Sequence, residues 1–345
     1  MSAAHQRVTD ASAWYGPAMA RDKSWAVPLT DAMRAELLAA TAVLRTRGLG
    51  TGGFGRDDFP IPLTAPVLAD AMDQVLHGRG FVLLRRLPIE GLDEATLKTL
   101  YWGIGQYLGT PVTQNKAGDL IATITDLGLD VNALNVKPSL TNAEQRPHTD
   151  PGDVVTLLCV NAAKSGGLSR IASSTTIYNE ILSTHPDELD FLFRGFHHDL
   201  RGDASDAAPF GCTPRPVPVY GWRDGKLSCV FNASTIKDAQ RRMGRLVPEA
   251  EMRAVDRMTD LARSDALRLD MEFAPGDMQL LNNYTIVHWR TAFQDHPETE
   301  RRRRLFRFWL SVDDARPLDP LMTSGNIMGA TVGRQTAPLE TPAHA

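Results

Sequence analysis

The sequence predicts an α+β fold in which helices come first and an antiparallel sandwich or barrel of short strands follows. In the N-terminal third, apolar residues recur three and four positions apart, which is the spacing of one face of a helix. From about Leu120 the pattern changes to short β-rich runs divided by Gly, Pro and Asp, which is typical of a sandwich or barrel. Helices followed by strands, rather than alternating with them, indicate the α+β class.

Three helices and one strand are predicted before this change. The first helix covers 31–47 and ends at Gly48, and the second begins at Pro66 and ends near Gly78. A buried strand follows at 81–84. Asp93 can cap the third helix, whose apolar stripe runs to Leu108. We expect one further helix at 248–264 and strands at 120–124, 154–160, 217–220, 227–231, 267–273, 285–289 and 305–312.

The chain of 345 residues is predicted to form a single elaborated domain, because no linker rich in Gly, Pro or Ser divides it. Residues 1–75 are interpreted as a helical extension packed on the core. Residues 76–320 are interpreted as the β-rich core domain. Residues 321–345 are rich in Pro, Ala and Thr and are predicted to be a flexible tail.

Charge and composition exclude several functional classes. The 37 basic and 41 acidic residues give a net charge of −4, which does not indicate nucleic-acid binding. No apolar run approaches the roughly 20 residues of a membrane span, and no secretory signal is visible at the N-terminus. The three cysteines form no CxxC motif and favour a reducing cytoplasm. We expect a cytoplasmic enzyme with a small-molecule substrate and no nucleic-acid or membrane partner, and a homo-oligomer is left open.

Three of the nine histidines begin a His-x-Asp triplet, at 148–150, 185–187 and 197–199. The triplet alone is weak evidence for a metal site, so the neighbouring sequence must show which triplet can bind a metal. At 185–187 the central Pro186 favours the start of a helix, and Asp187 would then stabilise the first turn. The triplet at 197–199 is not followed directly by a strand. The triplet at 148–150 leads into the predicted strand at 154–160, so it lies at the mouth of a strand.

His148 and Asp150 can converge on one metal ion, because residues i and i+2 of extended backbone point to the same side. The best candidate for a third ligand is His288, 140 positions downstream in a β-branched run. Two histidines and one carboxylate on one face, with open positions opposite, form the facial triad of non-haem Fe(II) oxygenases. The alternative is that His288 is a structural histidine on a buried strand.

A run of four arginines, 301–304, precedes an otherwise apolar strand that contains Arg307. Some of these arginines are expected to be solvated. A guanidinium inside a barrel, however, is costly unless it meets an anion. Arg303 and Arg307 are four positions apart and share a strand face, so they can bind the distal carboxylate of a dicarboxylic acid.

Together these motifs resemble the Fe(II)/2-oxoglutarate-dependent oxygenases of the taurine dioxygenase and 2,4-dichlorophenoxyacetate dioxygenase superfamily, which includes clavaminate synthase. The resemblance covers roughly residues 81–312. It implies a double-stranded β-helix, or jelly roll, with flanking helices. The segments that carry it are Gly80-Phe81-Val82-Leu83-Leu84-Arg85, His148-Thr149-Asp150, Gly166-Gly167-Leu168-Ser169, Pro275-Gly276-Asp277, 283–290 and Arg303 to Arg307.

The resemblance also implies cofactors and their binding residues. His148, Asp150 and His288 match the iron ligands. Ser169 matches a family threonine whose hydroxyl helps to hold 2-oxoglutarate. Arg303 matches the arginine that pairs with the distal carboxylate of that cosubstrate.

Arg307 matches a second arginine on the same strand. Because four arginines are consecutive, Arg302 and Arg304 remain competitors for the role of Arg303.

The implied reaction consumes O2 and 2-oxoglutarate and releases succinate and CO2, most often with hydroxylation of an unactivated C–H bond. Because Asp150 supplies a carboxylate where halogenating relatives have a small residue, chlorination is not expected. Desaturation, ring closure and epoxidation stay open. Two other functions are alternatives: a zinc hydrolase with two His and one Asp ligand, and a non-enzymatic jelly-roll module that binds a small molecule.

The substrate is expected to be small and polar, with a carboxylate. Arg290 lies two positions after His288 and could bind a substrate anion, or it could pair with Asp150 or Asp277. Each remaining candidate could equally be a polar residue that caps a loop. The candidate substrate residues are Gln114, Asn115, Asn142, His197, Arg201 and Arg290.

Overall fold

A computed structural model gives the fold and describes residues 5–115, 117–131, 136–200 and 209–323. The helices are α1 Gly16–Arg21, α2 Asp31–Thr46, α3 Ala65–Leu76, α4 Glu94–Gly105, α5 Ser174–Thr184, α6 Asp187–Arg194, α7 Ala233–Met243, α8 Glu249–Arg263 and α9 Pro320–Thr323. The strands are β1 Ala26–Pro28, β2 Phe81–Arg85, β3 Thr110–Val112, β4 Ala122–Ile124, β5 Val154–Asn161, β6 Ser165–Gly166, β7 Ser169–Ser173, β8 Tyr220–Arg223, β9 Lys226–Cys229, β10 Leu269–Met271, β11 Met278–Asn282, β12 Ile286–Arg290, β13 Phe293–Gln294 and β14 Arg304–Ser311.

Two sheets face each other to form the core. The larger sheet has the order β1-β2-β11-β5-β14-β3, and β4 also pairs with β14. The smaller sheet has the order β10-β7-β12. Apart from the parallel pair β1–β2, the pairings in both sheets are antiparallel. Their inner faces share one apolar cluster, to which Val155 and Trp309 contribute from the larger sheet and Ile171 from the smaller.

Strand β14 shows how the alternation of side chains builds the layers. Phe306 and Phe308 point outward and pack with Tyr101 of α4 and the other N-terminal helices. Leu305 and Trp309 point into the space between the sheets. Because the side-chain period of a strand is two, Arg303 and Arg307 share the inner side with Leu305 and Trp309.

The outer face of the smaller sheet is covered by a second group of helices. Ala172 of β7 and Val287 of β12 pack there with apolar side chains of α5, α6, α7 and α8. The resulting arrangement is a jelly-roll core with a helical layer on each outer face, in the predicted α+β class. No helix within the described ranges is long and apolar enough to cross a membrane.

The predicted helices agree with the structure to within a few residues. The helix at 31–47 is α2, whose N-cap Thr30 accepts a hydrogen bond from the backbone N–H of Met33. Asp93 caps α4 in the same way, because its carboxylate accepts a hydrogen bond from the backbone N–H of Thr96. The helix at 248–264 is α8, and Asp187 lies in the first turn of α6 as expected.

The predicted strands differ from the structure more than the predicted helices do. The expected strands at 217–220 and 227–231 shift to β8 and β9, because Asp224 and Gly225 take positive φ and form a tight turn between them. Strand β11 was missed although it pairs with both β2 and β5. The N-terminal region contains helices α1 to α3 and also contributes β1 to the larger sheet.

Candidate active site

His148 and His288 are neighbours across two chain segments that enter the barrel. The backbone N–H of His148 donates to the carbonyl of His288 (3.1 Å), and the N–H of His288 donates back (2.9 Å). Their ring centroids are 4.4 Å apart. The Nε2 atoms of His148 and His288 each lie 3.7 Å from a carboxylate oxygen of Asp150. The three residues thus offer ligand atoms within 4.8 Å of one another.

The two imidazoles present their Nε2 atoms to this cluster. Nδ1 of His148 lies 2.8 Å from the carbonyl oxygen of Arg146, which requires a proton on Nδ1 and leaves the lone pair on Nε2. Burial lowers the pKa of His288 to about 3, so its ring is neutral and can also provide a lone pair. These are the protonation states that metal binding needs.

Asp150 is oriented by two donors from β14. Arg307 donates to Oδ2 from 3.1 Å, and the indole N–H of Trp309 donates to the same oxygen from 3.0 Å. Although burial favours the neutral acid, the charge of Arg307 and the neighbouring histidines hold the pKa of Asp150 at about 2. The carboxylate is therefore ionised, and Oδ1 remains for a metal ion.

Arg307 is itself held by Gln114. Its Nε donates to Oε1 of Gln114 (2.8 Å), and the amide of Gln114 donates to the carbonyls of Arg307 (2.6 Å) and Leu120 (2.9 Å). The guanidinium also lies over the ring of Trp309, 4.3 Å from its centroid. Gln114 therefore fixes the arginine that orients Asp150.

Arg303 lies farther along the same inner side, just before β14. Its side chain is buried, and its guanidinium lies 5.2 Å from the ring centroid of Phe293. Burial lowers the pKa of Arg303 to about 10, which leaves it charged at neutral pH. Among the described residues no carboxylate forms an ion pair with this guanidinium. A Cβ at Gly167 would lie 3.2 Å from Nε, so the glycine leaves the guanidinium room that a side chain would narrow.

The neighbouring arginines point elsewhere. Arg302 is exposed, and Arg304 points outward to an ion pair with Glu94 of α4 (3.3 Å). Of these consecutive residues, only Arg303 is buried on the inner side of the sheet.

Ser169 of β7 is buried near the start of its strand. Its hydroxyl donates to Oε1 of Gln279, a fully buried residue of β11, over 3.2 Å. The hydroxyl of Ser169, the amide of Gln279 and the guanidinium of Arg303 thus lie buried between the sheets, where they can bind a polar ligand.

A pocket of about 210 Å³ opens beside the cluster. It is lined by His148, Asp150 and Arg307, by the first turn of α7, and by the C-terminal segment through Leu318 and Met322. The segment is anchored by Arg316, whose Nε donates to the carbonyl of Leu227 (2.7 Å). The C-terminal segment therefore forms one wall of the pocket.

The sequence profile named "Taurine catabolism dioxygenase TauD, TfdA family" matches residues 45–309. The chain belongs to this dioxygenase family. FR-33289 synthase from Streptomyces rubellomurinus is 31% identical over 313 residues, which cover 90% of this chain and 91% of that protein. The taurine hydroxylase-like protein SAT17 from Stachybotrys chartarum is 28% identical over 320 residues, 89% and 80% of the two chains.

Solved structures share the fold of this family member at lower identity. Asparagine oxygenase with Fe(II), 3-hydroxyasparagine and succinate is 18% identical, with a TM-score of 0.65 over 85% of this chain and 99% of the other. The non-haem iron oxygenase OrfP with Fe and 2-oxoglutarate is 16% identical, with a TM-score of 0.61 over 84% and 94%. Family membership confirms the predicted enzyme class, a non-haem iron, 2-oxoglutarate-dependent dioxygenase, over the hydrolase and binding-module alternatives.

Several residues predicted to contact substrate in this dioxygenase have other partners. Gln114 holds Arg307, and the Asn115 side chain closes its own loop with Asp119 and Ala117. Asn142 is exposed, and its backbone carbonyl accepts from Phe293.

Arg290 is buried and donates to the carbonyls of Thr291, Thr141 and Ala143 at 2.8–2.9 Å. It therefore holds the 138–143 segment, and burial lowers its pKa to about 9. Nδ1 of His197 bonds to the carbonyl of Thr213 (2.7 Å), and Arg201 lies outside the described residues. The substrate roles of these residues stay predictions.

The pocket also contains residues that the sequence did not single out for it. They include His198, Asn232, Ser234 and Thr235, in addition to the C-terminal wall. Asn232 is the N-cap of α7, and its side chain accepts from the N–H groups of Ser234 and Thr235. An Asn followed by a Ser-Thr pair is a visible capping signal, but it does not reveal proximity to His148.

Proposed function

We propose that His148, Asp150 and His288 bind Fe(II), that Arg303 and Ser169 hold 2-oxoglutarate, and that the enzyme hydroxylates a C–H bond of a small acid in the adjacent pocket. One observation carries this proposal. Two imidazoles and an ionised carboxylate converge at the wall of a pocket, on a strand system that also buries an arginine for which the described residues provide no ion-pair partner.

The donor set fits Fe(II). Two nitrogen donors and one carboxylate on one side of a site, with the pocket on the other, are the arrangement that non-haem Fe(II) oxygenases use. Iron with 2-oxoglutarate and O2 supplies the oxidising power that removes hydrogen from the substrate, and succinate and CO2 are released.

The protein's own residues position these reactants. Arg307 and Trp309 hold Oδ2 of Asp150, so that Oδ1 can bind the metal. The buried Arg303 offers two parallel N–H donors to the distal carboxylate of 2-oxoglutarate, which would provide the missing anion. The Ser169 hydroxyl, which donates to Oε1 of Gln279 in this structure, would exchange that partner for 2-oxoglutarate.

Cationic side chains in the lining of the pocket support an acidic substrate. Asp150 is paired with Arg307, and Asp199 is paired with Arg242 over 2.9 Å. Lys137 and Arg146 line the same pocket and are cationic groups that an acid can meet there, and the third carboxylate of the lining, Asp153, accepts hydrogen bonds from Tyr284 (2.9 Å) and from the N–H of Val312 (3.0 Å). The solved relatives that carry 3-hydroxyasparagine and (3S)-hydroxy-L-Arg are also consistent with a small polar substrate.

A two-stage experiment tests the proposal. Anaerobic Fe(II) plus 2-oxoglutarate should give a visible metal-to-ligand charge-transfer band that His148→Ala and His288→Ala abolish. His185→Ala is the control, since His185 lies in the exposed connection before α6. Succinate release is then screened against small carboxylic, sulfonic and amino acids. A band that survives His148→Ala but not His197→Ala would place the iron at the 197–199 triplet and overturn the proposal.

A further inference from the structure

His198 is a fully buried histidine in the wall of the pocket, outside the iron and 2-oxoglutarate residues. Its backbone is fixed by Thr213, whose hydroxyl accepts from the His198 N–H (3.1 Å) and whose own N–H donates to the His198 carbonyl (2.9 Å). The ring therefore has a fixed position beside the first turn of α7.

The hydrogen bonds of Thr235 define the tautomer of this ring. Nδ1 of His198 lies 2.8 Å from Oγ1 of Thr235. The single hydroxyl proton of Thr235 is donated to the carbonyl of Asn232, 3.0 Å away. With the hydroxyl proton directed to that carbonyl, Oγ1 accepts from Nδ1 of His198, and Nε2 carries the lone pair.

Nε2 of His198 is a buried acceptor with no hydrogen-bond partner in the described structure. Burial, with a smaller effect of His197, lowers the pKa of His198 to about 3, so the ring is neutral and Nε2 stays an acceptor at physiological pH. A buried acceptor without a partner is unusual, because the group loses its hydrogen bonds to water on folding. Such an atom in a pocket wall is suited to a ligand donor.

We propose that Nε2 of His198 accepts a hydrogen bond from an O–H or N–H group of the substrate. The enzyme would then select small acids that carry a second, hydrogen-bond-donating group. The inference rests on the proposed function, because it assumes that the substrate occupies this pocket. It makes His198 a specificity residue, separate from the groups that hold iron and 2-oxoglutarate.

Two variants distinguish the role of Nε2 of His198 from that of Nδ1. His198→Asn places an amide near the position of Nδ1 and keeps a partner for Thr235, but it removes the acceptor at Nε2. His198→Gln reaches the position of Nε2 and can restore that acceptor. The probes are carboxylates and sulfonates of equal length that end in a hydroxyl, an amino or a methyl group, for example 4-hydroxybutyrate against pentanoate.

Dissociation constants are measured anaerobically from the shift that each probe causes in the Fe(II)–2-oxoglutarate band. The wild-type enzyme should bind at least one donor-bearing acid tenfold or more tightly than its methyl analogue. His198→Asn should lose that preference, and His198→Gln should keep part of it. Without a probe, the band should be the same in all three proteins. If the wild-type enzyme gives no band, the proposed function is wrong, and the inference about His198 is not what failed.

Equal preference in the wild type and in His198→Asn would overturn the inference, as would failure of every probe to bind a wild-type enzyme with a normal band. Nitrogen-15 NMR of histidine-labelled enzyme gives a test without any substrate. A proton on Nε2 of His198, rather than on Nδ1, would also overturn it.

Discussion

The guanidinium of Arg307 donates a hydrogen bond to Oδ2 of Asp150 over 3.1 Å, and the same guanidinium is held by Gln114 over 2.8 Å. A continuous chain of contacts therefore runs from the β3–β4 connection through Arg307 to the carboxylate of the proposed iron site. Gln114 does not line the pocket, so it acts as a positioning residue.

We expect Gln114→Ala to weaken Fe(II) binding by roughly tenfold, because residues that orient metal ligands from behind contribute factors of this size. Fe(II) is titrated anaerobically with 2-oxoglutarate present, and the charge-transfer band is followed. Asn115→Ala is the matched control, since the hydrogen bonds of the Asn115 side chain to described residues stay within its own loop. Gln114→Glu retains one acceptor for Nε of Arg307 and should recover part of the affinity. Equal Fe(II) affinity in Gln114→Ala and the wild type would show that Arg307 needs no support.

Arg303→Ala should raise the half-saturating 2-oxoglutarate concentration on the order of 10- to 100-fold, because a charge-assisted hydrogen bond contributes about 1.5–3 kcal/mol. Arg303→Lys should recover only part, since it keeps the charge but loses the paired donors. Arg302→Ala and Arg304→Ala are controls on exposed or outward-facing positions and should stay within about 0.5 kcal/mol of the wild type. A large effect at either control would mean that Arg302 or Arg304, rather than Arg303, binds the cosubstrate.

The sequence predicted α2, α3, α4 and α8 because each shows a regular apolar stripe beside polar residues, but it did not predict the short helix α1. It missed β11 because that strand is buried on both faces yet contains Gln279 and Asn282, which interrupt the apolar run. The amide of Asn282 is satisfied by the carbonyl of Val75, a contact between residues 207 positions apart that no local pattern reveals.

The candidate site was predictable where its residues share a strand. Alternation along β14 places Arg303 and Arg307 on the inner side, and the spacing within 148–150 brings His148 and Asp150 together. Contacts between distant irregular segments were not predictable. His197 and His198 are adjacent in such a segment, and only tertiary packing shows that His198, rather than His197, lines the pocket.

The C-terminal wall was likewise not visible in the sequence. Met322 is buried, and its sulfur would lie 2.5 Å from a Cβ at Gly221, so the glycine in β8 gives this side chain its space. Residues 324–345 of the expected tail lie outside the described residues.

We expect Met322→Ala to weaken substrate binding while leaving the Fe(II)–2-oxoglutarate band unchanged, because Met322 lines the pocket and is not one of the proposed metal ligands. The substrate found in the succinate screen is titrated against both proteins, and KM should rise severalfold. Leu321→Ala is the neighbouring control, since Leu321 is exposed. Equal KM values for Met322→Ala and the wild type would mean that the C-terminal segment does not confine the substrate.

The buried His198 should make the stability of the protein depend on pH. An unfolded histidine has a pKa of about 6.5, whereas burial lowers the pKa of His198 in the folded protein to about 3. Between these values the unfolded chain binds a proton that the folded chain does not. The free energy of unfolding must therefore fall as the pH drops from about 6.5 towards 3. At pH 5 the contribution of His198 to this decrease is about 2 kcal/mol.

His198→Gln removes the titrating group, so its free energy of unfolding should decline less between pH 7 and 5 than that of the wild type, by about 2 kcal/mol. Urea unfolding of the metal-free proteins at pH 7, 6 and 5 measures the difference. The pKa of His288 is also lowered by burial, but His288 is present in both proteins, so its contribution cancels. His185→Gln, at an exposed position, should follow the wild-type profile. Parallel profiles for His198→Gln and the wild type would mean that His198 takes up its proton without unfolding, and that it is not the buried neutral acceptor inferred from its contacts.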